Sequence, residues 1–69
     1  MTQTVDRLIS EGLVTLQEAA KAVRVNVSTR TLSDWCSIGV RGIVLESMLV
    51  GSRRHTSVAA LKRFLAAAS

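Results

Sequence analysis

Sixty-nine residues limit the chain to a single domain, residues 1–69, and a domain this small buries a smaller share of its surface than a larger one. Hydrophobic residues make up 48% of it, which excludes a disordered segment, and one Trp and one Phe leave the core mainly to Leu, Val, Ile and Ala. The formal net charge of +4 favours a polyanionic partner, either nucleic acid or an anionic surface.

The first predicted helix covers about residues 4–11. Thr4 caps it, Asp6 sits near its positive end, and Val5, Leu8 and Ile9 share an apolar face. Gly12 stops it, so residues 1–14 read as an N-terminal helical extension. A second helix covers about 15–23. Thr15-Leu16-Gln17-Glu18 is a capping box, and Leu16, Ala19, Ala20 and Val23 then form one buried stripe. The small Ala19 and Ala20 let another helix approach closely. The connection Val23-Arg24-Val25-Asn26 has no glycine, and Asn26 is the residue expected to take a left-handed conformation there.

A third helix follows at about 28–37, with Ser28 as its cap and Val27 and Leu32 placed as a hydrophobic staple. Leu32, Trp35 and Cys36 face inward, while Thr29, Arg30, Ser33 and Ser37 fall on the other side. Gly39 ends this helix and Gly42 keeps the chain loop-like. Residues 43–50 are rich in branched side chains and read as a strand, with Glu46 as its polar alternate. Gly51-Ser52 suits a tight hairpin turn, and 53–56 is the returning strand. Thr56 or Ser57 caps a last helix at about 57–67, with Val58, Leu61, Phe64 and Leu65 at helical spacing.

The expected fold is therefore mainly α with a small β-hairpin, in the order of a winged helix-turn-helix. In that arrangement one helix braces the next, whose first residues meet the floor of the DNA major groove. The candidate contacts are Ser28, Thr29, Arg30, Thr31 and Ser33 at the start of the third helix. Arg30 has the reach for a guanine edge or a phosphate. The hairpin adds Ser52, Arg53, Arg54 and His55, and the segment before it adds Arg41. Each has a plainer reading. Arg30 is also an ordinary surface arginine, Arg53 and Arg54 also a solvated edge that discourages aggregation, and His55 also a strand residue facing water. Trp35 and Cys36 read as packing residues before they read as a stacking platform or a reactive thiol.

The strings Leu16-Gln17-Glu18-Ala19-Ala20, Val27-Ser28-Thr29-Arg30-Thr31-Leu32 and Trp35 resemble the excisionase-like branch of the MerR-type winged-helix superfamily. Val50-Gly51-Ser52-Arg53-Arg54 is similar to the short wing of that branch, and Ser57 to Leu65 to the helix after it. Gly39-Val40-Arg41-Gly42 with Leu45-Glu46 also resembles short uncharacterised bacterial and phage proteins of the same type. The resemblance covers roughly residues 13–66. It implies double-stranded DNA as partner, and a role as a recombination directionality factor or small transcription regulator beside an integrase or RNA polymerase. So small a footprint implies binding as a homodimer or a cooperative array. The chain departs from the branch in two places. The inter-helix turn is about two residues longer and lacks the usual glycine, and the stretch from Trp35 to the hairpin is longer, as a longer strand or an extra loop carrying Arg41.

No Ser/His/Asp or Cys/His arrangement and no phosphate-binding glycine loop points to an enzyme. A lone His supplies no metal-ligand set, and no cofactor is implied. The single Cys36 has no internal disulfide partner, no run nears the ~18 apolar residues of a membrane span, and no secretory leader is legible. The expected location is cytoplasmic, associated with the nucleoid. A different class of reading remains open. The apolar residues 43–50 carry one charge, Glu46, and suit pairing with the strand edge of a partner protein, with no direct DNA role.

Overall fold

Three of the four helices start where a hydroxyl sits ready to accept from a free amide of the first turn. The computed structural model describes residues 2–68, as α1 (Thr2–Glu11), β1 (Val14–Thr15), α2 (Leu16–Val23), α3 (Thr29–Ser37), β2 (Met48–Val50), β3 (Arg53–Thr56) and α4 (Val58–Ala68). Thr15 Oγ1 accepts from the Glu18 amide at 3.2 Å while the Glu18 carboxylate accepts from the Thr15 amide at 3.0 Å, completing the capping box of α2. Ser28 Oγ accepts from the Thr31 amide at 3.1 Å and caps α3. Ser57 does the same for α4 through the Ala60 amide, at 2.9 Å.

The strands form one antiparallel sheet in the order β1-β3-β2. Val14 and Thr15 pair with Thr56 and His55, and Met48, Leu49 and Val50 pair with His55, Arg54 and Arg53. The expected two-stranded hairpin is thus the larger part of a three-stranded sheet in a small α/β domain. Its tip is Gly51-Ser52, with Gly51 at φ 66°. Glycine at the first central position matches a turn whose twist follows that of the strands.

The core joins every helix. Leu8 of α1, Leu16, Ala19 and Ala20 of α2, Leu32 and Cys36 of α3, and Ala60, Leu61 and Phe64 of α4 form one cluster with Leu45 from the segment before β2. Leu8, Leu32, Leu45 and Leu61 are each at most 1% exposed, and each such leucine contributes about 1.5–3 kcal/mol. Trp35 rests on this core with its ring 5.0 Å from that of Phe64, inclined by 38°.

Four expectations are corrected. The strand expected at 43–50 is confined to Met48–Val50. Arg41 and Gly42 turn the chain back on itself at φ 53° and 79°, and Val40 and Ile43 exchange two backbone hydrogen bonds of 2.8 and 2.9 Å. Leu45 then enters the core, and its amide donates to the Trp35 carbonyl at 2.9 Å, satisfying an acceptor left free at the end of α3. A strand cannot both follow that path and keep its alternation. Second, α1 starts at Thr2, so Thr4 lies inside the helix. Third, Ile9 is 56% exposed, because α1 meets the domain only along the side that carries Leu8. Fourth, the left-handed residue between α2 and α3 is Arg24, at φ 63°, and not Asn26. The Arg24 amide donates to the Lys21 carbonyl at 3.1 Å and the Val25 amide to the Ala20 carbonyl at 2.9 Å. This is the Schellman pattern that closes a helix, with arginine where glycine is usual.

Candidate nucleic-acid interface

The starts of two helices and one turn build an open groove on the surface. Thr15 ends β1 and opens α2, Ser28 opens α3, and the β2–β3 hairpin folds toward both helix starts. The open groove between them holds about 400 Å³. Thr29 and Ser33 line it from α3, Ser52, Arg53, Arg54 and Leu49 from the hairpin, and Thr15, Leu16 and Gln17 from the start of α2. Gln17 Nε2 donates to Thr29 Oγ1 at 2.7 Å and so ties the two helix starts together.

The ten candidate residues divide by position. Thr29, Ser33, Ser52, Arg53 and Arg54 share the groove. Ser28 and Thr31 are engaged in the α3 cap, where their hydroxyls lie 3.0 Å apart. Arg30 is exposed at the start of α3 but outside the groove wall. Arg54 is half-buried, and its Nη1 donates to Ser47 Oγ at 3.1 Å, which aims the guanidinium across the face of the hairpin. His55 does not line the groove, although it pairs across the sheet with Thr15, which does; its Nδ1 lies 3.1 Å from the Arg53 carbonyl. Arg41 stands at the far end of α3, on its own tight turn.

Sequence reasoning missed Thr15, Leu16, Gln17 and Leu49 as lining residues. Gln17 carried a usable signal: it is an exposed polar residue in the first turn of the bracing helix, beside the start of the next one. Leu49 carried none, since its place depends on a strand register that local pattern does not reveal.

The charge is sorted by a network on another part of the molecule. Arg63 binds Glu11 at 2.6 Å and Glu46 at 2.6 Å, and Arg7 lies 3.6 Å from Glu46. Ser57 Oγ donates to Glu11 at 2.7 Å. The Arg63 guanidinium, and then Ser57, hold the Glu11 carboxyl below its ordinary value, and Glu11 and Glu46 raise Arg63 in turn. Glu18 is also held low, first by the Thr15 backbone amide and then by the Thr15 side chain. Setting aside Arg7, Arg63, Glu11 and Glu46, which cancel, seven cations and three acids remain, the whole +4 of the chain. None of those seven cations has an acidic partner within 4.0 Å among the described residues.

Among the described residues, no group of three His, Cys, Asp or Glu could hold a metal ion, and no helix is long and apolar enough to cross a membrane. No curated protein and no solved structure matches the chain. A family model described as a protein of unknown function (DUF1580) matches residues 12–69. The match begins at Gly12, just after α1, and takes in β1, α2, α3, the hairpin and α4. It therefore spans all of the groove, and the chain belongs to the DUF1580 family.

Proposed function

We propose that this protein binds double-stranded DNA sequence-specifically as a winged helix-turn-helix, with α3 as the recognition helix and the β2–β3 hairpin as the wing. The observation that carries this reading is the shared groove. Hydroxyls from the start of α3 and two arginines from the hairpin line one concave surface, while the two best-paired acids are held in a network elsewhere. A DNA strand seated there meets hydroxyl donors, guanidinium groups and the amide ends of α2 and α3, all suited to phosphate. Arg30 then points at base edges in the major groove. Asp34 follows one turn later on the same face. A carboxylate there accepts from a cytosine amino group and repels phosphate, so this surface suits base reading more than backbone binding.

The resemblance to the excisionase-like branch supports a role in recombination or transcription, beside an integrase or polymerase, in the bacterial cytoplasm, for a protein of bacterial or phage origin. The footprint is small, so useful occupancy requires tandem or dimeric binding.

Fluorescence anisotropy with a random 20-base-pair duplex across a salt series tests the DNA reading. Affinity falls steeply with salt if phosphates are bound, and absence of binding at low salt refutes it. With a selected target, Arg30→Ala relaxes sequence preference by about 1–3 kcal/mol, and Arg53→Ala weakens all sequences alike. A second reading has one observation in its favour. β2 is an edge strand whose Leu49 and Val50 are 59% and 47% exposed, as expected of an adaptor that pairs with a partner's sheet. Its edge offers three residues rather than the eight suggested by residues 43–50.

A further inference from the structure

Six described residues adopt positive φ, and four of them are glycines. The other two, Arg24 and Arg41, are both arginines. Left-handed backbone is unfavourable for any side chain with a Cβ, and where a side chain is retained there it is most often Asn or Asp. Arg41 precedes Gly42 in a tight two-residue turn, a position that Asn or Gly fills at lower cost. Arg24 occupies the Schellman position that glycine usually takes.

Neither arginine recovers this cost in full inside the fold. Both are exposed, and neither makes an ion pair or side-chain hydrogen bond among the described residues. Arg24, as the C-cap of α2, gains less from the helix dipole than its left-handed backbone costs, and Arg41 lies beyond the end of α3 at Ser37. One stands in the connection before α3 and the other in the turn after it. A cation kept in an unfavourable conformation, exposed and unpaired, is explained by a ligand outside the fold.

We infer that Arg24 and Arg41 are phosphate contacts that bracket α3 and extend the DNA interface beyond the groove. The inference rests on the DNA reading above and adds two residues the groove does not include. The bracketing pair grips backbone phosphates on either side of the segment that α3 reads.

The test compares the wild type, the double variant Arg24→Gly/Arg41→Gly and the control Lys62→Ala on a random 20-base-pair duplex across a salt series. Thermal unfolding of each is followed in parallel. Glycine accepts both backbone conformations, so the double variant folds. The expected result is a slope of log affinity against log salt shallower by about 2, one contact per arginine, with a thermal midpoint at or above wild type. Lys62→Ala leaves the slope unchanged. A double variant with the wild-type slope overturns the inference alone, as does a midpoint several degrees lower, which makes the arginines structural. An equal loss of slope in Lys62→Ala overturns it too, by showing that any surface cation counts. Absence of duplex binding by the wild type overturns the DNA reading and this inference together.

Discussion

Gly39 is the position where a single methyl group should do most damage, and the structure shows why. It follows α3 at φ 81°, and its amide donates to the Asp34 carbonyl at 2.9 Å. A Cβ there would sit 2.1 Å from the Ile43 carbonyl oxygen and 2.8 Å from its carbon. Both are backbone atoms, so no side-chain rotation relieves the clash. The positive φ costs an alanine roughly 1–2 kcal/mol. Moving Ile43 away also breaks its two hydrogen bonds with Val40, at about 1 kcal/mol each. Gly39→Ala should therefore lose about 3–4 kcal/mol, out of roughly 3–10 kcal/mol for a domain of this length. Gly42→Ala is the matched control, because Gly42 has φ 79° but a Cβ added to it would meet nothing within 4 Å. It should lose only the conformational part, about 1–2 kcal/mol. Urea unfolding followed by circular dichroism measures both. At about 4–8 °C per kcal/mol, the gap of about 2 kcal/mol also separates the two thermal midpoints clearly. Equal losses in the two variants would refute the close approach of Gly39 to Ile43.

Leu45→Ala should cost about 2–5 kcal/mol, since Leu45 is 1% exposed and joins the core from outside any helix or strand; a loss under about 1 kcal/mol in urea unfolding would mean that the segment packs elsewhere. Acid should destabilise the fold in a defined window. Glu11 and Glu18 are held below their ordinary value of 4.5, so below that pH the unfolded chain binds more protons than the folded one. Their contribution is complete above about 4.5 and declines as pH falls through the lower folded values. Glu11→Gln should flatten part of that decline in unfolding measured from about pH 6 to 2, and an unchanged acid limb would remove Glu11 as a contributor.

The helices are legible in the sequence because their signals are local. A capping box sets residues three apart against each other, and the Thr15–Glu18 pair forms as its spacing requires. The Gly51-Ser52 turn is legible for the same reason. β1 is not, because Val14 and Thr15 are extended only by virtue of Thr56 and His55 across the sheet. The length of β2 is not legible either, because branched residues at 43–45 suit a strand and a buried plug equally well, and tertiary packing chooses the plug for Leu45. Glu46 has the pattern of the solvent-facing alternate of a strand. It instead lies between Arg7 and Arg63 in an ion network in which Arg63 also binds Glu11, 52 residues away in the chain. Half of the candidate contacts meet in the groove because they come from two compact segments, the start of α3 and the hairpin. Arg30, His55 and Arg41 do not, since side-chain direction and the turn at 41–42 depend on geometry that composition does not carry.

The longer, glycine-free connection between α2 and α3 is the joint most able to turn α3 away from the hairpin. Two features hold it. Arg24 takes the left-handed conformation that ends α2, and Gln17 bridges to Thr29 at 2.7 Å across twelve residues of chain. The first sets where the connection leaves α2, and the second sets how close the two helix starts lie. Val27 then packs against the core, and Val25 lines a hollow with Ala20 and Leu32. If the amide bridge fixes the spacing, Gln17→Ala should cost about 0.5–1.5 kcal/mol despite its exposure. It should also shift the backbone amide resonances of Thr29 and Ser33 together with those of Arg53 and Arg54, because all four line the groove that the bridge spans. Unfolding unchanged from the wild type, with shifts confined to the neighbours of Gln17, would show that the Arg24 turn and the packing of Val27 set the angle without it.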